Sequence, residues 1–113
     1  MTEREYEAND ISLTISTDFS TYHRAIRPTI LNLTRRKVNG TYDANLAKKA
    51  WLNVVEWGLK NTEYYKKNPI RVNLELRRLA AKYLNEEWEA ELKETYQKML
   101  KLKKAGKAWS LKE

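Results

Sequence analysis

Apolar and polar residues alternate along residues 11–15, in the order Ile-Ser-Leu-Thr-Ile. Because this alternation with β-branched side chains is typical of a half-buried strand, it predicts a short extended strand within an acidic N-terminal segment of residues 1–17. A lone strand needs an edge to pair with. Three alternatives are open: the strand pairs with its counterpart in a second copy, it pairs with an unrecognised short strand, or it remains unpaired and lies extended against helices. A homodimer and a monomer are both compatible with this pattern.

From residue 18 onward, apolar positions recur every three or four residues, which is the period of one helical face. This period predicts a first helix over residues 18–38. Pro28 lies inside this helix and disfavours the helical conformation of Arg27, so we expect a kink or a split there. Asn39 and Gly40 end the helix, since glycine is the usual left-handed terminator.

Two further helices are predicted. The second covers residues 44–66, with Asp43 as its cap, and Gly58 in its middle indicates close approach of another backbone or a tolerated weakness of about 1 kcal/mol. The third begins after Asn73, extends for roughly 45 Å and ends at Gly106. A helix of that length exceeds what a small bundle needs, so its second half is expected to project or to pack on a partner.

These elements predict one mainly α domain over residues 1–113. The expected fold is a three-helix arrangement with a long C-terminal helix, a short N-terminal extended strand, and a short basic tail over residues 106–113. A chain of 113 residues is long enough to bury a core of its own and too short for a two-domain enzyme.

Composition narrows the classes of function. The chain carries 22 Lys and Arg against 15 Asp and Glu, a net charge of +7 that favours anionic partners. Cysteine is absent and there is a single histidine, so disulfide scaffolds and most metal chemistry are excluded, and no metal or other cofactor is expected. No apolar run is long enough for a membrane span or a secretion signal, so we expect an intracellular protein without membrane contact.

No arrangement of residues typical of catalysis is evident. Glu87, Glu91 and Glu94 share a helical face with lysines, which is typical of a solvated surface. His23 is expected at a helix edge, partly exposed, without the partners of a catalytic base. The three glycines are not clustered, which excludes phosphate-binding loops. We therefore predict a protein without enzymatic activity.

One block of the sequence carries a family resemblance. Gly40-Thr41-Tyr42-Asp43 precedes the helical segment Leu46-Ala47-Lys48-Lys49-Ala50-Trp51, and the later segment Arg77-Arg78-Leu79-Ala80-Ala81-Lys82 continues into Glu86-Glu87-Trp88-Glu89. This arrangement resembles small helical proteins encoded by tailed bacteriophages, in which a Gly-x-Tyr-Asp element opens a helix. The resemblance covers roughly residues 25–94. It implies a phage origin and the cytoplasm of a bacterial host, and it implies no reaction.

Clustered basic residues are the candidate nucleic-acid contacts. They are Arg35, Arg36 and Lys37, then Lys48 and Lys49, Lys66 and Lys67, and Arg77 and Arg78, with further lysines at the C-terminus. Binding to phosphates requires these charges to converge on one face, which a sequence does not reveal. Some of these residues have another use, because cations at helix C-termini are favoured by the helix dipole.

Aromatic residues are the candidate protein contacts. The chain holds four Trp and seven Tyr, more than a small core requires. Trp51 and Trp57 face different sides of the second helix, so both cannot easily face one core. Trp51, Tyr64, Tyr65 and Trp109 are therefore predicted to form a protein-binding surface, and partial burial under lysine side chains is the alternative.

The sequence as a whole predicts a small, basic, phage-type binding protein that acts on a nucleic acid or a nucleoprotein machine in the host cytoplasm. One alternative is an inhibitor or adaptor that binds a host enzyme through its aromatic and Arg-rich face. Another is a structural or assembly component of the phage particle.

Overall fold

The computed structural model describes residues 1–110, and within that range the protein is helical and contains no strand. The elements are α1 (Glu3–Thr17), α2 (Phe19–Thr21), a π-helical segment (Tyr22–Ile26), α3 (Arg27–Asn39), α4 (Ala44–Asn61), α5 (Glu63–Lys67), α6 (Leu74–Glu87) and α7 (Glu89–Lys104). The predicted mainly α fold is confirmed. None of the helices in the described range is both long enough and apolar enough to cross a membrane.

The predicted N-terminal strand is wrong, because residues 11–15 lie in the middle of α1. A capping box starts this helix, with the Glu5 amide donating to Thr2 Oγ1 and the Thr2 amide donating to Glu5 Oε1, both at 3.1 Å. The buried residues Ala8, Ile11 and Ile15 follow a helical period. The alternation of apolar and polar residues over positions 11–15 made this period hard to recognise in the sequence. With no strand there, strand pairing with a second copy, one of the alternatives left open by the sequence, has no basis in the structure.

The predicted first helix is interrupted one turn before Pro28. Proline has no N–H and cannot continue the usual hydrogen-bond ladder. The Arg27 amide donates to the Tyr22 carbonyl five residues back, which is the π-helical spacing. The helix then continues as α3 and ends at Gly40, whose φ of 74° confirms the left-handed terminator.

The predicted second helix is divided in two. Asp43 caps α4 as expected, since its Oδ1 accepts from the Asn45 amide at 2.8 Å. At Thr62 the backbone becomes extended, and the Thr62 hydroxyl accepts from the Tyr65 amide at 3.2 Å to cap the short helix α5. Thr62 therefore ends one helix and starts the next.

The predicted long C-terminal helix is also divided, at Trp88. Asn73 caps α6 by accepting from the Leu76 amide at 2.8 Å, as expected. Trp88 leaves the helical conformation, and its indole N–H donates to Ser16 Oγ at 3.1 Å. After this break α7 packs along α3. The second half of the predicted helix therefore packs within the chain and does not project.

The helices pack in two groups. In the first, α6 packs against both α4 and α1, and in the second, α7 packs against α3, within an overall shape of 48 × 25 × 19 Å. The main core includes Ile15, Ile30, Trp51, Val55 and Leu84.

A partly buried polar cluster connects α7 to α3 and the π-helical segment. The Tyr22 hydroxyl donates to the Glu91 carboxylate at 2.9 Å, and Arg27 Nη1 donates to Thr95 Oγ1 at 2.9 Å and to Glu91 at 3.4 Å. The Glu91 side chain is 30% exposed. The expectation that Glu91 belongs to a solvated surface is therefore wrong, since its charge holds two helices together.

Asp18 connects the end of α1 to α2 and α5. Its carboxylate accepts from the Thr21 amide at 2.9 Å, from the Thr21 hydroxyl at 2.6 Å and from the Glu63 amide at 3.4 Å. Burial acts to raise the pKa of Asp18, but these hydrogen bonds and the charge of Lys66 outweigh burial and hold the pKa below its usual value.

Gly58 allows α1 to lie close against α4. A Cβ atom at this position would lie 2.7 Å from Ile15 Cγ1 and 2.8 Å from Ile15 Cδ1, and Ile15 is completely buried. Close approach of another backbone, one of the two sequence interpretations of Gly58, is wrong in its detail, because the group that lies close to Gly58 is the side chain of Ile15.

We expect Gly58→Ala to lower the free energy of unfolding by about 1–2 kcal/mol, because the overpacking of Ile15 outweighs the gain of about 1 kcal/mol in helix propensity. Urea unfolding measures this change. Ile15→Val removes the Cδ1 methyl group, so the double variant should lose less stability than the sum of the two single variants. A Gly58→Ala variant more stable than the parent protein would contradict the packing.

We expect Asp18→Asn to destabilise the protein by about 1 kcal/mol near neutral pH, with a smaller effect in acid. The folded-state pKa lies below the unfolded value, so the unfolded state binds more protons. The stability that ionised Asp18 contributes is complete above its usual pKa of 3.8 and is lost as the pH falls through the lower folded value. Thermal unfolding of both proteins from about pH 6 to about pH 2.5 checks this; a constant difference in stability would contradict it.

Candidate functional site

A groove of about 830 Å³ lies along one side of α6, with walls from α4 and from the first turn of α1. It is lined by Arg4, Lys48, Lys49, Leu52, Glu75, Arg78, Leu79, Ala81, Lys82 and Asn85. Its size is within the range of ligand-binding clefts in proteins. The groove is therefore large enough to hold part of a partner molecule.

Helical spacing places the α6 residues along the groove. Glu75, Arg78, Lys82 and Asn85 follow one another at intervals of three or four positions, so they share one face of α6, and Leu79 lies next to Arg78 on that face. That face is about 15 Å long from end to end. The groove therefore extends for about 15 Å along α6.

The opposite wall comes from the first half of α4. Lys48 and Lys49 are exposed there, and Leu52 lies one turn further along. Near the other end of α4, Glu56 Oε2 accepts from Arg77 Nη1 in the first turn of α6 at 2.8 Å. The two helices are therefore antiparallel, which places Lys48 and Lys49 beside the later part of α6.

Five cations face one carboxylate in this groove. The cations are Arg4, Lys48, Lys49, Arg78 and Lys82, and all five side chains are exposed. Glu75 is paired with Arg4, with 2.6 Å between Oε2 and Nη2, and both side chains are largely in solvent. Such an exposed ion pair contributes little, and the lining residues carry an excess of four positive charges, which favours anions.

The floor of the groove is apolar. Leu52 and Leu79 are half-buried and pack on the main core, and Ala81 is buried. This floor distinguishes the groove from a flat basic surface, because a ligand can contact apolar and charged groups at once.

The structure brings three of the nine predicted nucleic-acid contacts into the groove: Lys48, Lys49 and Arg78. The sequence analysis missed Arg4 and Lys82. Lys82 was detectable, since it lies four positions after Arg78 on the same helical face. Arg4 was not, because it reaches the groove through the packing of α1 against α6.

Arg77 is outside the groove. Its ion pair with Glu56 is partly buried, with the two side chains 28% and 41% exposed. Arg77 connects α6 to α4 through this ion pair.

The other predicted basic residues lie elsewhere. Arg35 Nε donates to Ser110 Oγ at 2.9 Å, and Lys37 Nζ lies 4.8 Å from the centre of the Tyr42 ring. These residues and Arg36 are half-buried at the end of α3. Lys66 and Lys67 lie on α5, after the end of α4, and neither residue lines the groove. The nine predicted residues therefore do not form one site.

The predicted aromatic protein-binding surface does not form from its four residues. Trp51 is completely buried and Tyr65 is 3% exposed, so the expectation that they lie at the surface is wrong. Tyr64 is 56% exposed, and Trp109 is half-buried with Lys103 Nζ 5.4 Å from its ring centre. Trp51 faces the core, although it was predicted to lie at the surface, and Trp57 is half-buried.

Residues 1–110 contain no group of three or more His, Asp or Glu side chains that could hold a metal ion. His23 is exposed and its ring contacts those of Phe19 and Tyr22, with centres 4.5 and 5.2 Å away. The groove is therefore the surface whose chemistry points most clearly to a ligand.

Comparisons of the chain with known protein families, with curated proteins and with solved structures find no match.

Proposed function

We propose that the protein is a non-enzymatic, phage-type binding protein whose basic groove contacts the phosphates of a nucleic acid, free or within a nucleoprotein machine. The observation that supports this proposal is the convergence of cations from α1, α4 and α6 on one groove. Five exposed cations against one carboxylate form an electrostatic footprint for a polyanion. The phage origin and the bacterial host cytoplasm are part of the proposal and rest on the sequence resemblance alone.

Binding through these residues would depend on phosphates rather than on base identity. The cations are on flexible side chains, and contacts with phosphates carry no sequence information. Four cations remain if Arg4 stays with Glu75, so the logarithm of the binding constant should fall by about 3–4 per tenfold increase in salt. Such binding is steeply salt-dependent and weakly specific for sequence.

The rival function, an inhibitor or adaptor of a host enzyme, loses part of its support. It depended on an aromatic surface that includes Trp51 and Tyr65, and both are buried. Binding through the groove requires no such surface. The groove therefore supports a nucleic-acid partner better than the aromatic residues support a protein partner.

We expect the charge reversal Lys48→Glu with Lys49→Glu to weaken binding to a labelled DNA by at least tenfold at low salt and to reduce the salt slope by about 1–2. Lys66→Glu with Lys67→Glu is the matched control, because it changes the net charge equally at a distance from the groove. Fluorescence anisotropy at several salt concentrations measures both. Equal losses for the two variants, or no binding by the parent protein, would overturn the proposal.

We expect Glu75→Gln to tighten binding by about 2- to 5-fold, because it frees Arg4 and removes the single negative charge of the groove. Glu63→Gln is the control, since Glu63 forms a comparable ion pair with Lys67, at 3.3 Å, on α5. The same anisotropy titration reports both. A tightening of the same size in the control variant would show that overall charge, rather than the groove, governs affinity.

A further inference from the structure

We propose that the groove accepts an unpaired strand, with its phosphates along the basic rim and its bases against the apolar floor, in preference to a duplex. This inference rests on the proposed function and specifies the form of nucleic acid that the groove takes. It is carried by the combination of a groove that extends along α6, an apolar floor and several cations in one site.

The apolar floor is the feature that separates a strand from a duplex. Leu52, Leu79 and Ala81 offer contacts only to apolar ligand surface. A duplex turns its charged backbones outward and keeps its base faces stacked inside, so it would set phosphates over this floor and gain no apolar contact. An unpaired strand has free base faces to place there.

The dimensions of the groove fit a short stretch of strand. The α6 face from Glu75 to Asn85 is about 15 Å long, which is at most about four nucleotides at the stacked spacing of 3.4 Å and fewer when the bases are unstacked to place their faces on the floor. Lys48 and Lys49 lie on one wall, and Arg78 and Lys82 lie on the other. The single backbone of an unpaired strand runs along one side of its bases, so its phosphates would meet cations on whichever wall they follow.

None of the residues that line the groove, within the described part of the chain, is aromatic. The bases would therefore contact leucine side chains and would lack the ring stacking on which many single-strand-binding proteins rely. This predicts modest affinity. It also provides a test, because an aromatic ring introduced at the groove should add the missing stacking.

The test is Asn85→Trp, at an exposed position that lines the groove. Asn68→Trp is the matched control, since Asn68 is also exposed and lies beside Lys66 and Lys67, away from the groove. Anisotropy is measured with a labelled single strand of about 12 nucleotides and with its duplex at the same salt concentration. Thermal unfolding confirms that both variants are folded.

We expect the parent protein to bind the single strand at least threefold more tightly than the duplex. We expect Asn85→Trp to tighten single-strand binding by at least fivefold, with less effect on the duplex and no such gain for Asn68→Trp. Equal or tighter binding of the duplex, or equal gains for the two variants, would overturn the inference while the charge-reversal result still supports nucleic-acid binding.

Two other outcomes bear on the proposed function as well as on this inference. If neither the single strand nor the duplex binds, the proposed function fails together with the inference. A polyglutamate peptide serves as an anion that lacks bases. If it binds more tightly than the strand, the inference is overturned and the groove is assigned to an acidic protein partner.

Discussion

The burial of one face of α6 between α1 and α4 is the constraint on which the rest of the structure depends. Leu76, Ala80 and Leu84 supply that face, and all three are buried. Once it is turned inward, the neighbouring face of the same helix must form one side of a groove. Arg78 and Lys82 lie on that second face, so the hydrophobic packing that stabilises the protein also decides where its charges converge.

The convergence of like charges in the groove lowers the stability of the folded protein. Five cations placed around one groove repel one another, and a single exposed pair between Arg4 and Glu75 offsets little of that repulsion. Arg77, one residue before Arg78, shows the alternative use of a cation in this helix. It points to Glu56 and connects two helices. Adjacent arginines thus have different roles because a helix turns by about 100° per residue.

The second group of helices is joined to the first at Trp88. Its indole bonds to Ser16 of α1, and its ring lies 5.4 Å from that of Tyr22. Tyr22 in turn donates to Glu91 on α7. The break in the predicted long helix is therefore a fixed junction with polar and aromatic partners, which returns α7 onto α3 instead of leaving it extended in solvent.

Local signals in the sequence determined the mainly α class and three of the helix ends: Asp43, Asn73 and Gly40 act through the backbone next to them. The same local reasoning identified Lys48, Lys49 and Arg78 as cations able to contact an anion. Tertiary structure decided the rest. Residues 11–15 are helical because α1 buries Ala8, Ile11 and Ile15 on one side, and Trp51 is buried because the core closes over it. Alternation within five residues fits both periods, and only packing over the whole helix selects one of them.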